Sequence, residues 1–305
     1  MTTNAGTILV VDDEKDLREV LQEFLSEKGY TVRCADSGKA ALAVLDEEPI
    51  DLLLSDINMP GMKGFELIRE ATVRKPNLKT ALITAYDVRD YIRLAKEHQI
   101  GNIIAKTTPF NFGEIEMLIR NIITEEVFGL HRYVEGEVHE VPIRSSDDIE
   151  TAVREVVENM PDSVRGRRVR QSLGEILVNA VYYGARGERG EAKSEWTLDV
   201  VLEPHQEVTV SWAVDEEKAG VAVRDRSGSL SREEVLYWLE RNMTRGPDGL
   251  SEGLFDEHGK GLFISRETID RLIINIKRGS MTEVVMLAYR EGLYTSYRPL
   301  WIHEL

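Results

Sequence analysis

Thr7-Ile8-Leu9-Val10-Val11-Asp12-Asp13 decides the fold of the first part of the chain. A short, unbroken run of β-branched and aliphatic residues reads as a strand buried on both faces, which is the signature of a parallel sheet. It delivers two carboxylates, Asp12 and Asp13, to its carboxyl end. Leu52-Leu53-Leu54-Ser55 repeats the pattern and delivers Asp56. Two more runs, Thr80 to Ile83 and Asn102 to Ala105, end at Thr84 and Lys106. Between and after these runs, amphipathic helices are expected over Asp16 to Lys28, Gly38 to Glu47, Phe65 to Arg74, Arg89 to His98 and Phe112 to Thr124. Five β/α units in that order predict an α/β fold, a doubly wound (βα)5 sheet of the flavodoxin-like kind. Ligands of such sheets gather outside the carboxyl ends of the strands, so Asp12, Asp13 and Asp56 should converge there. Three anions at one point need a cation, and oxygen donors suit Mg²⁺. One carboxylate could then attack phosphorus while Thr84 and Lys106 receive the phosphoryl oxygens.

The stretch Asp56-Ile57-Asn58-Met59-Pro60-Gly61-Met62-Lys63-Gly64 closely resembles the phosphoacceptor segment of two-component receiver domains. The resemblance implies Asp56 as the phosphorylated residue, and Asp12, Asp13, Asp56 and the backbone of Asn58 as Mg²⁺ ligands. It implies Thr84 and Lys106 as the switch hydroxyl and lysine, with a cognate histidine kinase as phosphodonor. Two positions depart from that pattern. Lys106 is followed by Thr107 and Thr108 before Pro109, where the family has proline at once, and Ile103 stands where the family has an aromatic switch residue.

A second constellation lies further on. Glu175-Ile-Leu-Val-Asn179 places a carboxylate and a carboxamide four residues apart, on one face of a helix. An amide oxygen there can hold Mg²⁺ while the carboxylate orients or deprotonates a hydroxyl. Asp225 closes the apolar run Val221-Ala-Val223 and can accept a hydrogen bond from an amino group. His258-Gly259-Lys260-Gly261-Leu262 lets backbone N–H groups approach phosphates where a helix begins. Alone, an acid and an amide at this spacing describe a solvated helix face. Four such elements in order describe an ATP site.

These residues resemble the GHKL ATPases, and among them the anti-sigma-factor serine kinases, over about residues 140 to 290. The resemblance implies a C-terminal α+β sandwich of the GHKL (Bergerat) type with ATP and Mg²⁺ as cofactors. Asn179 would hold the metal, Glu175 would be the general base, and Asp225 and Thr282 would meet adenine. Gly228, Gly259, Lys260 and Gly261 would lie along the nucleotide. One departure stands in Asp225-Arg226-Ser227-Gly228-Ser229, where serine fills both glycine places of the family's D-x-G-x-G. Serine there would be strained if those positions need positive φ.

The remaining features bound the reading. With 305 residues and 42% hydrophobic content the chain can build two cores. The expected division is a receiver over 5–125, a linker over 126–141, where periodicity is weak, an ATPase unit over 142–292 and a tail over 293–305. Within the second unit we expect a helix over Asp147 to Asn159, strands near 195–203, 207–215, 219–225, 272–277 and 282–289, and helices from Ser231 and Leu262. Ser231 with Glu234 forms a candidate capping box. Residues 245–258, rich in glycine and turn formers, read as a lid. The single Cys34 excludes a disulfide framework and reads as a small buried hydrophobe. The start of the chain lacks a charged segment followed by an apolar one, and no long apolar run follows, so a cytoplasmic location and no membrane span are expected. A net charge of −16, with acidic residues in excess in both halves, argues against nucleic acid as a partner. Arg165 to Arg170 is a basic cluster that reads as a solvated helix start or a docking surface. The six histidines lack the helical-pair context of a phosphoacceptor histidine. The reading is a response regulator with an anti-sigma-like serine/threonine kinase output. Its partners would be a STAS-type antagonist, a sigma factor or both, with a homodimer left open. The alternatives are an ATP-dependent binding module without catalysis and an atypical histidine kinase.

Overall fold

In the computed structural model the chain forms two compact units, residues 1–126 and 127–305. The structure describes residues 5–164, 167–186, 199–245, 250–253, 259–290, 294 and 297–305.

The first unit is a parallel five-stranded sheet of β1 (Thr7–Val11), β2 (Thr31–Ala35), β3 (Leu52–Asp56), β4 (Lys79–Thr84) and β5 (Asn102–Ala105), in spatial order 2-1-3-4-5. Its strands are almost wholly apolar because α1 (Lys15–Glu27), α2 (Gly38–Glu47), α3 (Gly64–Arg74), α4 (Ile92–Glu97) and α5 (Phe112–Thr124) accompany them. Ile8, Leu9, Leu52, Leu53, Leu54, Leu82 and Ile103 are fully buried. Order 2-1-3 places the switch point between β1 and β3, where Asp12 and Asp56 emerge. The single helix expected over Arg89 to His98 is instead a 3₁₀ turn, Val88–Tyr91, followed by α4. Asp87 starts that turn by accepting from Arg89 N–H at 3.0 Å, which sets the tighter winding one residue early.

The second unit is a mixed six-stranded sheet. β6 (His139–Ile143), β7 (Val208–Val214), β8 (Lys218–Asp225), β10 (Met281–Tyr289) and β9 (Arg271–Lys277) run antiparallel in that spatial order, and β11 (Leu300–Glu304) joins β9 in parallel. Helices α6 (Asp148–Glu158), α7 (Arg167–Asn179), α8 (Arg232–Met243) and α9 (Lys260–Thr268) complete the unit. Ser231 caps α8 by accepting from Glu234 N–H at 3.1 Å, and Glu234 closes onto the serine hydroxyl at 2.8 Å. The strand expected near 195–203 begins outside the described residues, and its described part contributes an isolated bridge between Val201 and Ser145.

Two expected boundaries are corrected. Residues 126–141 are not a free linker: Val127, Leu130, Tyr133 and Val134 are buried in the second unit, and β6 begins at His139. The weak periodicity has a physical cause, since this segment is held by polar contacts rather than an amphipathic face. Asn275 donates to Val127 O at 2.7 Å, Tyr133 hydroxyl donates to Val127 O at 2.6 Å, and Gly129 N–H donates to Glu283 at 2.9 Å. Residues 293–305 are likewise not a loose tail, because β11 buries Leu300, Trp301 and Ile302.

His303 on β11 is buried, and burial together with Arg232 pushes its imidazole down to about 3. An unfolded histidine titrates near 6.5, so between those values the unfolded chain binds the extra proton. Stability should therefore fall as pH drops below about 6.5, by up to roughly 1.4 kcal/mol per pH unit from this group. Urea unfolding at pH 7.5 and 5.0 should show that slope in the wild type and a shallower one in His303→Asn. Equal slopes would remove His303 as its source.

Candidate functional sites

At the carboxyl ends of the first sheet, Lys106 lies between two carboxylates, 2.8 Å from Asp12 Oδ2 and 2.7 Å from Asp56 Oδ1. Strand register explains the gathering: Asp56 pairs with Ile83 and Thr84 with Ala105, so Thr84 and Lys106 follow at the next level. Lys106 N–H donates to Thr84 O at 2.7 Å. Gly64 is required beside them, since a Cβ there would come within 2.2 Å of Asp56 O. Burial raises the Asp56 pKa, against the opposing pull of Lys106 and Asn58 N–H. Burial alone would lower Lys106, but its hydrogen bonds to Asp12 and Asp56 prevail and raise it. Lys106 therefore stays cationic and stabilises the site up to alkaline pH, losing that contribution only as pH passes its raised value.

Asp12, Asp56 and Thr84 are buried beside the half-buried Lys106, whereas Asp13 is exposed. Among the described residues, no three His, Cys, Asp or Glu side chains are gathered as a metal cluster. The two buried carboxylates still supply hard oxygen donors, and Mg²⁺ commonly takes one or two carboxylates with water completing its shell. Asn58 N–H donates to Asp56 Oδ2, and its side-chain amide donates to the Tyr91 hydroxyl at 2.5 Å. Tyr91 has no signal in the sequence, because its place depends on the 3₁₀ turn. Ile103, at the aromatic-switch position, is fully buried, and the cis bond of this loop is Thr108–Pro109.

The second unit holds a cavity of about 270 Å³ between α7, α8, the start of α9 and the faces of β8 and β10. Asp225 and Thr282 are register partners on antiparallel β8 and β10, so both side chains face it from one level. Thr282 Oγ1 is buried and has no hydrogen-bond partner among the described residues. Asp225 Oδ1 accepts from Ser227 N–H at 2.9 Å and from the Ser227 hydroxyl at 2.6 Å. Burial raises the Asp225 pKa, opposed by the donors of Ser227 and Gly228.

Asn179 lines the opposite wall. A Cβ on Gly261 would sit 2.6 Å from Glu175 Oε2 and 3.4 Å from Asn179 Nδ2, so the first turn of α9 abuts both side chains. Gly259, the N-cap of α9, has φ 79°, and its Cβ position would collide with the Trp238 ring at 2.6 Å. Both glycines are thus demanded by close approach. The strain anticipated for the serines is absent: in Asp225–Ser229 only Gly228 has positive φ, at 57°. A Cβ on Gly228 would lie 2.1 Å from Lys277 O, so the left-handed residue is also the one without space.

Tyr183, Gly184, Glu234 and Trp238 line the cavity without a sequence signal. Directly after Asn179 the helix widens into a π segment, Ala180–Ala185, which turns Gly184 against Asp225. Lys260 opens α9 and is partly exposed. His258 and most of the expected lid lie outside the described residues, as do Arg165, Gly166 and the Arg167 side chain of the basic cluster. Cys34 is half-buried, and burial raises its thiol pKa, as expected for an unreactive cysteine.

The response regulator receiver domain family matches residues 8–120. Sporulation initiation phosphotransferase F of Bacillus subtilis is 33% identical over 116 residues, which are 38% of this chain and 92% of that protein. The chain belongs to the response regulator receiver family. Its receiver is also 42% identical over 86 residues to response regulator protein FleR of Pseudomonas aeruginosa, an alignment covering 28% of this chain and 18% of FleR. Among solved structures, TrrA of Thermotoga maritima in complex with Mg²⁺-BeF is 36% identical, covering 38% of this chain and 98% of that one, with a TM-score of 0.35. Each likeness reported covers about two fifths of the chain or less. Among the described residues, no helix is long and apolar enough to cross a membrane.

Proposed function

We propose that this response regulator takes a phosphoryl group on Asp56 from a cognate histidine kinase and thereby controls a GHKL-type, ATP-binding output unit. That unit acts as a serine/threonine protein kinase of the anti-sigma type. Its substrate is a STAS-type antagonist, and it holds or releases a sigma factor in a partner-switching pathway. The observation that carries the output half is the Asp225 and Thr282 pair facing one cavity, with Asn179 on its other wall and Gly261 against Glu175.

In the receiver, an Asp56 oxygen forms the new bond to phosphorus as the bond to the donor's imidazole nitrogen breaks. Lys106, already within 2.7 Å of Asp56, offsets the charge on the phosphoryl oxygens. In the output unit, Mg²⁺ would supply charge neutralisation when bound, and the Asn179 amide would be the group to hold it. Asp225 and Thr282 hold the base, and backbone N–H groups of the first turn of α9 face the phosphates. Glu175 would take the proton from the partner's hydroxyl as that oxygen bonds to the terminal phosphorus and the bond from that phosphorus to the bridging oxygen breaks, releasing ADP. A binding module that uses ATP only structurally is the second reading, favoured by Glu175 lying partly exposed and outside the lining of the cavity. The histidine-kinase alternative finds less support: His131 lies in a 3₁₀ turn and His139 begins β6, stacked 4.2 Å from Trp212.

Asn179→Ala and Asp225→Asn should each weaken Mg²⁺-ATP binding by about tenfold or more, the first by removing a polar contact and the second by replacing a charged acceptor with a weaker neutral one. Asp225→Asn should not destabilise the fold. A buried carboxylate with a raised pKa disfavours folding above that pKa, so removing its charge relieves a cost at neutral pH. Calorimetric titration of the full chain, with thermal melts alongside, tests both statements. Wild-type affinity in both variants would eliminate the site.

A further inference from the structure

Behind the cavity, on the opposite face of the sheet, lies a buried polar centre with no part in the contacts assigned to the nucleotide. Side chains alternate along a strand, so Asp225 and Thr282 face the cavity while Arg224 and Glu283, their neighbours and also register partners, face the other way. Glu283 is fully buried. Its carboxylate accepts from Arg224 Nε at 3.0 Å and Nη2 at 2.9 Å, from Asn275 Nδ2 at 3.2 Å and from Gly129 N–H at 2.9 Å. Strands β8, β9 and β10 and the segment 127–134 thus meet on one side chain. The segment lies flat on β8, since a Cβ on Gly220 would come within 2.6 Å of Val134 and 2.9 Å of Leu130. Only Glu125 and Glu126 separate it from the end of α5 at Thr124.

We infer that Glu283 is a positioning residue for the nucleotide cavity, through which the segment 127–134 acts as a strap: its docking behind the sheet and nucleotide binding in front favour each other. The inference rests on the nucleotide reading above and adds a control to that site. With the strap docked, Glu283 ties β8, β9 and β10 together at the level that also carries Asp225 and Thr282. With the strap lifted, Glu283 loses the Gly129 N–H and its apolar cover, and a buried carboxylate short of donors draws in water or shifts. Either response moves β10 against β8 where the Asp225 and Thr282 pair sits. A nucleotide that needs both residues in register therefore binds the strapped form more tightly, and by linkage its presence holds the strap down. Because the strap follows α5 after two residues, it is the covalent path by which the receiver can weight that equilibrium.

The test is hydrogen–deuterium exchange of the full-length wild type with and without saturating Mg²⁺-ATP, read peptide by peptide. Exchange in 127–134 should slow by about fivefold or more, and by more than in α6, which takes no part in the Glu283 cluster and so reports general stabilisation. Titration with Mg²⁺-ATP should show affinity lowered by about fivefold or more in Glu283→Gln and in Tyr133→Phe. The second variant removes only the strap hydroxyl that bonds Val127 O at 2.6 Å and keeps its packing. ATP binding that protects 127–134 no more than α6 would overturn the inference alone, and so would wild-type affinity in every variant that folds. The exchange measurement needs no substitution, so it decides the matter even if Glu283→Gln fails to fold. A wild-type protein that does not bind Mg²⁺-ATP would overturn the nucleotide reading, and this inference with it.

Discussion

Asp56→Asn is expected to abolish phosphorylation of the receiver by acetyl phosphate and Mg²⁺. The expected loss is complete because an amide oxygen cannot serve as the carboxylate nucleophile, and the site offers poor substitutes. Among the described residues of the receiver, Asp12 is the only other buried carboxylate at the carboxyl ends of the strands, and it is held against the same lysine at 2.8 Å. Asp13 is exposed, and the Lys106 ammonium pairs with Asp12 and Asp56 instead. The substitution should also be mild for the fold. Burial raises the Asp56 pKa, so its charge costs stability at neutral pH, while asparagine keeps an oxygen for Lys106 and Asn58 N–H. Cys34→Ser, remote in sequence and without a role in the transfer, serves as the control. Hydroxylamine-sensitive phosphate appearing on Asp56→Asn at the wild-type rate would show that the nucleophile lies elsewhere.

The receiver was legible because its signals are local. An unbroken apolar strand followed by an acidic or hydroxyl residue states both the strand and what it delivers, and β5, α2 and α5 fall on the expected residues. In the second unit, the pairing of Glu175 with Asn179 follows from helical geometry, whereas the residues that complete the cavity depend on contacts between distant elements. Gly184 reaches Asp225 through a π turn, and no periodicity announces a switch from one hydrogen-bond spacing to another. β6 escaped notice because Pro142 interrupts it, and an edge strand is where a sheet tolerates proline. The segment from Val127 to Val134 was illegible for a related reason. Its burial rests on backbone groups meeting Asn275 and Glu283, residues about 150 positions away.

The kinase and binding-module readings separate at Glu175. Its carboxylate lies at the start of α9, where a Cβ on Gly261 would approach Oε2 to 2.6 Å, and so beside the place assigned to the phosphates rather than the base. Glu175 is partly exposed and absent from the lining of the cavity, whereas Asn179, one turn along α7, is part of that lining. A carboxylate so placed can meet a partner's hydroxyl without contributing to base recognition. Glu175→Gln keeps the size and the hydrogen-bonding atoms and removes the base, so Mg²⁺-ATP affinity should be nearly unchanged. Transfer of labelled phosphate to a purified STAS-type partner should fall by roughly 10²–10⁴-fold, the usual contribution of a positioned general base. If the unit works by occupancy alone, wild type will transfer nothing, and a pull-down of the partner will depend on ATP equally in both proteins. That result would remove the kinase reading and leave a binding module governed by Asp56. A transfer rate that survives the substitution, with ATP binding intact, would instead keep the kinase and move the base to another residue at the mouth of the site.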